Sequence, residues 1–202
     1  MILDFAKSIF YELKNNDAMF GRFFVITLFF IGLNECAMQY VRWDFSRVPG
    51  DIWDTRLNHY FLEHGFQSFF SDKASFWSPR FFYPQENVLL YSVNHFGSIP
   101  IYSFFRFFVD KYHSFQLWFL FGIILNFFSA NYVLKKLNSG SFASSLGAYF
   151  YTFSMPILAS FGHIQLLYRF SFVFGKFFLV ENLRTQQRLK FFLGFFFIML
   201  QF

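Results

Sequence analysis

The feature that most constrains this chain is residues 115–134, twenty residues without a single charge. As a helix they would extend about 30 Å, the thickness of a bilayer's hydrocarbon core. Lipid offers no partners to an open backbone, so a helix is the form in which such a run can be buried there. Residues 23–41 and 142–161 are of similar length, the latter uncharged and with Pro156 as an expected kink. A fourth run, 164–180, is shorter and carries Arg169 and Lys176. A fifth opens at Phe191 and reaches Phe202, twelve residues that are too few to cross as a helix. That points to the N-terminal part of a longer protein, with a short inserted tail as the alternative. The expected fold class is all-α: a polytopic transmembrane helix bundle of four spans plus an incomplete fifth. It forms a single membrane domain over 1–202, with surface helices in a large first outer loop, 42–112.

Composition agrees with lipid as the solvent. Hydrophobic residues make up 55% of the chain and charged residues 14%, against about 25% charged in soluble domains. A net charge of +5 raises nucleic-acid binding as a first idea. The basic residues, however, sit at the ends of apolar runs and form no patch, so no nucleic-acid partner is expected. The single cysteine, Cys36, excludes an internal disulfide. No small-residue cleavage site follows the first apolar run, which therefore reads as a retained span.

Orientation follows from the short connections, because basic residues favour the cytoplasmic side. Lys7, Lys14 and Arg22 precede the first span, Lys135 and Lys136 follow the second, and Arg184, Arg188 and Lys190 follow the fourth. With alternating spans all three groups lie on one side, which places the N-terminus in the cytoplasm and the loop 42–112 outside. That loop balances five Arg and two Lys against five Asp and two Glu. All five histidines fall in it or at the outer ends of spans. Within it, residues 51–71 have helical spacing, with Leu57, Tyr60, Phe61, His64 and Phe69 on one face, as expected of a helix lying on the membrane surface. Pro100 can open a second surface helix through Val109.

Several residues can carry chemistry. Asp51 and Asp54 stand three apart at a helix start, so they share a face. They can hold a metal ion between them, or one can act as a general base. Alternatively both only complement the helix dipole, with Arg56 as a partner. Glu35 sits in the outer third of the first span, where an ionisable group is a functional candidate or reaches out to the interface. Arg169 and Lys176 are seven apart and share a face of the fourth span. Burying them calls for an anion such as Asp51, Asp54, Glu35 or a lipid phosphate, unless each reaches its nearer interface. His163 and Gln165 mark the outer turn between the third and fourth spans. The sequence has no HExxH, paired CxxC, glycine-rich phosphate loop or GxSxG, which leaves zinc protease, P-loop ATPase and serine hydrolase readings without a basis.

Taken together, a first span, a large outer loop opening on an acidic motif, and tightly joined spans resemble the GT-C superfamily of polytopic membrane glycosyltransferases. The resemblance is closest to an uncharacterised group of bacterial membrane proteins with the same plan. It is carried by Pro-Gly-Asp-Ile-Trp-Asp-Thr-Arg-Leu-Asn-His-Tyr at 49–60, Glu63-His64-Gly65, Phe76-Trp77-Ser78-Pro79, Phe82-Tyr83-Pro84, Gly97-Ser98-Ile99-Pro100-Ile101-Tyr102, Phe153-Ser154-Met155-Pro156 and Gly162-His163-Ile164-Gln165-Leu166-Leu167. The resemblance implies a bacterial inner-membrane enzyme that transfers a sugar from a polyprenyl-phosphate donor to an envelope glycan or lipid acceptor. It implies that Asp51 or Asp54 serves as catalytic base or helps hold a divalent metal, magnesium or manganese. Arg56 and Arg169 would then meet the donor phosphate, and Glu35, His163 and Gln165 would belong to the substrate site. The rival expectation is a non-catalytic membrane component of lipid-linked glycan transport or assembly, in which the acidic pair merely caps a helix. A channel is a weaker fit, since the second and third spans carry no charge.

Overall fold

Apolar runs with few breakers become helices in this chain, and every regular element in the described residues is helical. The computed structural model describes residues 21–71, 75–154 and 163–200, and no strand occurs among them. In chain order the helices are α1 (Gly21–Val41), α2 (Asp54–Phe70), α3 (Ile99–Arg106), α4 (Lys111–Lys136), α5 (Ser141–Phe153), α6 (Phe170–Thr185) and α7 (Arg188–Met199). The all-α expectation therefore holds for the described residues. Lys7, Lys14, Pro156 and Gly162 lie outside them.

Two helices, α1 and α4, are long and apolar enough to cross a membrane. As described, α5 has 13 residues, α6 has 16 and α7 has 12, each short of the roughly 20 that a perpendicular crossing needs. The run 164–180 is not one helix. It opens with a 3₁₀ turn, Ile164–Leu166, and α6 starts only at Phe170. The cause is local bonding: the Leu167 carbonyl accepts from Asn126 Nδ2 at 2.6 Å, and Tyr168 is buried with its hydroxyl donating to the Trp118 carbonyl at 2.7 Å. These bonds hold the chain in a bend that a continuous helix would erase. Arg169 accordingly sits before α6 as its N-cap residue and not inside the helix, so the shared face expected for Arg169 and Lys176 does not form within a span.

The largest fully buried side chains gather where the start of α4 meets the loop 42–112. Phe115, Trp118 and Phe119 of α4 are buried with Phe61 and Leu62 of α2, Tyr102 of α3 and Leu89 of the connecting segment. Phe115 stacks on Trp118 with ring centres 5.5 Å apart, and Trp118 meets Tyr168 at 4.8 Å. Gln116 Nε2 donates to the carbonyls of Phe45 and Arg47 at 2.8 and 2.6 Å, fixing the chain that leaves α1. The loop is thus part of the core. α2 buries Thr55, Asn58, Phe61, Leu62, His64 and Gly65, so the apolar face expected from Leu57, Tyr60, Phe61, His64 and Phe69 is replaced in part. Phe69 is exposed, and the small and polar residues Thr55, Asn58 and Gly65 turn inward.

Further along the bundle the helices pair through rings and close backbone. Phe29 of α1 meets Phe127 of α4 at 5.2 Å, and Phe24 meets Phe142 of α5 at 5.1 Å. α6 and α7 touch at Gly175 and Gly194, where a Cβ on Gly175 would lie 2.7 Å from Ile198 Cγ1 and 3.2 Å from the Gly194 carbonyl oxygen. Small residues at a helix crossing are the usual way to bring backbones together in lipid. Gly175→Val is expected to destabilise the protein by about 1–3 kcal/mol through overpacking. Gly140→Ala, with nothing within 4 Å of the added Cβ, should cost less, about 1 kcal/mol or under, since Gly140 is the N-cap of α5 and alanine is a poor cap. Thermal unfolding of the two variants in the same detergent checks both.

Candidate functional site

The acidic motif is built on a turn that only its own residues allow. Gly50 has φ +95°, and a Cβ there would lie 2.0 Å from Thr55 Oγ1. That turn lets Asp51 fold back over the start of α2. Its Oδ1 accepts from the backbone N–H of Trp53 at 3.1 Å and of Thr55 at 3.0 Å, while Thr55 Oγ1 accepts from the Asp51 N–H at 3.0 Å. Asp51 therefore satisfies backbone donors that a helix start leaves open. These bonds, that from Thr55 foremost, hold its carboxyl below the ordinary carboxylate range.

Asp54, the first residue of α2, is placed differently. Its Oδ2 lies 2.9 Å from Nδ1 of His163, and both side chains are roughly half exposed. The 3₁₀ turn that follows His163 packs against α2, so a residue from the far end of the chain is brought to the acidic motif. Asp51 lies within electrostatic reach of the same imidazole. Gln165 belongs to that turn, and its side chain is outside the described residues.

Two hollows flank the motif. One, of about 410 Å³, is lined by Asp51, Arg56, His59, Glu63, Lys111 and Tyr112 among others. The other, of about 490 Å³, is lined by Trp53, Asp54, Arg56, Tyr60 and Phe81 among others. Arg56 borders both, is exposed, and forms no ion pair among the described residues.

The first hollow has an ionic floor that the sequence did not single out. Glu63 accepts from Arg106 Nε at 3.0 Å and from the Tyr102 hydroxyl at 2.7 Å. Burial raises its pKa, but the bonds from Arg106, Tyr102 and Gln67 outweigh that and leave the carboxyl below its usual range. His59 Nε2 bonds the Lys111 carbonyl at 3.0 Å, and burial lowers the pKa of this ring. The signal for Glu63 and Arg106 in sequence was only that two opposite charges sit on neighbouring amphipathic segments.

The other expected members lie apart. Glu35 falls in a π-helical turn of α1, Leu33–Ala37, and accepts from Asn34 Nδ2 at 2.8 Å. Among the described residues it meets neither Asp51, Asp54 nor Arg169. Arg169 stacks on the Tyr151 ring at 5.3 Å, and its buried Nε has no hydrogen-bond partner among the described residues. Among the described residues an aromatic face, and no carboxylate, offsets its charge. The structure thus unites Asp51, Asp54, Arg56 and His163 and leaves Glu35 and Arg169 outside. No group of three or more His, Cys, Asp or Glu side chains among the described residues can hold a metal. With Asp51 Oδ1 bound to two backbone N–H groups and Asp54 Oδ2 to His163, the donor set does not fit a resident magnesium or manganese ion. Compared with protein-family models, with curated proteins and with solved structures, the chain matches none.

Beneath the motif, Asn58 Nδ2 donates to the Asp54 carbonyl at 2.7 Å, and Asn58 Oδ1 accepts from His95 Nε2 at 2.6 Å. Burial lowers the His95 pKa to about 4. The folded value lies below the unfolded one, near 6.5, so the unfolded chain binds the extra proton. Stability is full above about pH 6.5 and falls as the pH drops towards 4, by about 3 kcal/mol at most. Unfolding followed between pH 7 and 4 should show this slope in the native protein, and His95→Gln should flatten it.

Proposed function

We propose that the chain is a polytopic inner-membrane protein of the glycosyltransferase type, acting on its outer face on a polyprenyl-phosphate sugar. The observation that carries the reading is the convergence of Asp54, His163 and Arg56 at the start of α2, where the loop module meets the helix bundle. An acid–base pair beside a cation with no ion pair among the described residues suits a reaction that takes a proton from an acceptor hydroxyl and releases a phosphate. The resemblance to the GT-C superfamily points the same way, and the exposed rings of Phe191, Phe192, Phe195 and Phe196 on α7 suit lipid.

In this reading α1 and α4 span the bilayer, and α5, α6 and α7 are inserted beside them, with α6 and α7 held at their glycines. Residues 42–110 then lie outside, and the turn between α6 and α7 lies in the cytoplasm. With Cys36 replaced by serine, a membrane-impermeant maleimide should label Ser71→Cys in intact cells and reach Gln187→Cys only after permeabilisation. Labelling of both from outside rejects the topology.

The chemistry is tested with purified protein in lipid vesicles containing a polyprenyl-phosphate hexose, by following release of polyprenyl phosphate. Asp54→Asn should slow release by roughly 100-fold or more, while Asp51→Asn should act chiefly on stability. A second reading, a non-catalytic component of lipid-linked glycan transport or assembly, is favoured by the capping bonds of Asp51. It becomes the better one if neither substitution alters turnover or a surface glycan at normal protein levels.

A further inference from the structure

We infer that His163, held by Asp54, is the group that takes the proton from the acceptor hydroxyl, so that Asp54 is a positioning residue and not itself the base. The inference rests on the glycosyltransferase reading. His163 Nδ1 lies 2.9 Å from Asp54 Oδ2 as an ion pair; an ionised carboxylate only accepts, so the neutral tautomer that suits this contact has its hydrogen on Nδ1. That leaves the lone pair on Nε2, which has no hydrogen-bond partner among the described residues. The other ring nitrogens of this type are used: His59 Nε2 bonds the Lys111 carbonyl, His64 Nε2 the Phe76 carbonyl and His95 Nε2 the Asn58 amide. His113 also pairs with a carboxylate, that of Asp110. But Asp110 is its near neighbour and caps α4, so the chain's local geometry explains that contact. No local geometry explains Asp54 and His163, which come from α2 and from the turn before α6.

Asp54 touches the imidazole, and Asp51 lies within electrostatic reach. A carboxylate behind a histidine fixes its tautomer and stabilises the imidazolium. The step is then balanced. The acceptor oxygen attacks the sugar C1 as its proton passes to His163 Nε2. The bond from C1 to the phosphate oxygen breaks, and its electron pair leaves with the polyprenyl phosphate beside Arg56. The proton afterwards passes from His163 to water on the outer face.

The test uses the full chain in lipid nanodiscs and two readouts. The first is the rate at which diethyl pyrocarbonate modifies His163, followed by mass spectrometry without any substrate. It should fall several-fold in Asp54→Asn and recover in part in Asp54→Glu. The second is turnover of a polyprenyl-phosphate hexose, where His163→Gln should lower kcat about 100-fold or more while KM stays within about twofold. An unchanged modification rate in Asp54→Asn overturns the pair even if the native protein turns over the donor. Wild-type kcat in His163→Gln overturns the histidine's role and returns the base to a carboxylate. A native protein with the expected reactivity pattern but no turnover overturns the proton transfer together with the glycosyltransferase reading.

Discussion

The side-chain amide of Asn58 is the point on which the candidate site depends. It is buried, and a buried amide costs free energy unless its donors and acceptor are used. One end holds the Asp54 carbonyl and the other receives His95. The first turn of α2 and the segment that carries His95 are therefore fixed against each other. His95 in turn lies against Trp118, ring centres 5.7 Å apart, and Trp118 against Tyr168. A carboxylate at a loop end would otherwise be free to move. Here its backbone is tied to the most buried part of the molecule while its side chain stays half exposed.

The same economy appears in the polar residues inside the apolar runs. Gln116 and Asn126 lie in the charge-free stretch of α4, where composition alone gives them no purpose. Each donates to carbonyls of irregular backbone, Gln116 to Phe45 and Arg47 and Asn126 to Leu167. Tyr151 serves the Arg169 carbonyl in the same way, and Tyr168 ties the bend to the Trp118 carbonyl within α4. A protein that bends its chain in an apolar surrounding must supply such donors, because the solvent supplies none. The bend before α6 and the tether after α1 exist because these side chains stand ready for them.

Much of the helix content was legible in sequence, because runs such as 115–134 leave one economical form. The start of the acidic motif was legible too, as Pro49-Gly50-Asp51 spells a turn before a helix. What sequence could not give was pairing across the chain. Glu63 with Arg106, and Asp54 with His163, are contacts between segments whose approach is set by packing around Phe61, Tyr102 and Trp118. The break before Phe170 was missed for a similar reason: hydropathy averages over Leu167 and Tyr168, whereas the bend is set by two individual hydrogen bonds. The face of α2 was misassigned because the inward residues include Asn58 and Thr55, which an apolar stripe cannot announce.

The separation of Asp51 from Asp54 shows how two carboxylates three residues apart take unlike roles. An acid that accepts two backbone N–H groups is tied to the helix start, and protonating it costs that anchorage. Its low pKa makes it a poor base and a good fixed charge. Asp54 stands one turn later, past the cap, with no backbone donor on its carboxylate among the described residues. Its oxygens are free to meet a partner from elsewhere, and His163 supplies one. The identity of the capping residue thus decides which acid can take part in chemistry. A helix that began three residues later would put Asp54 in the place that Asp51 holds now.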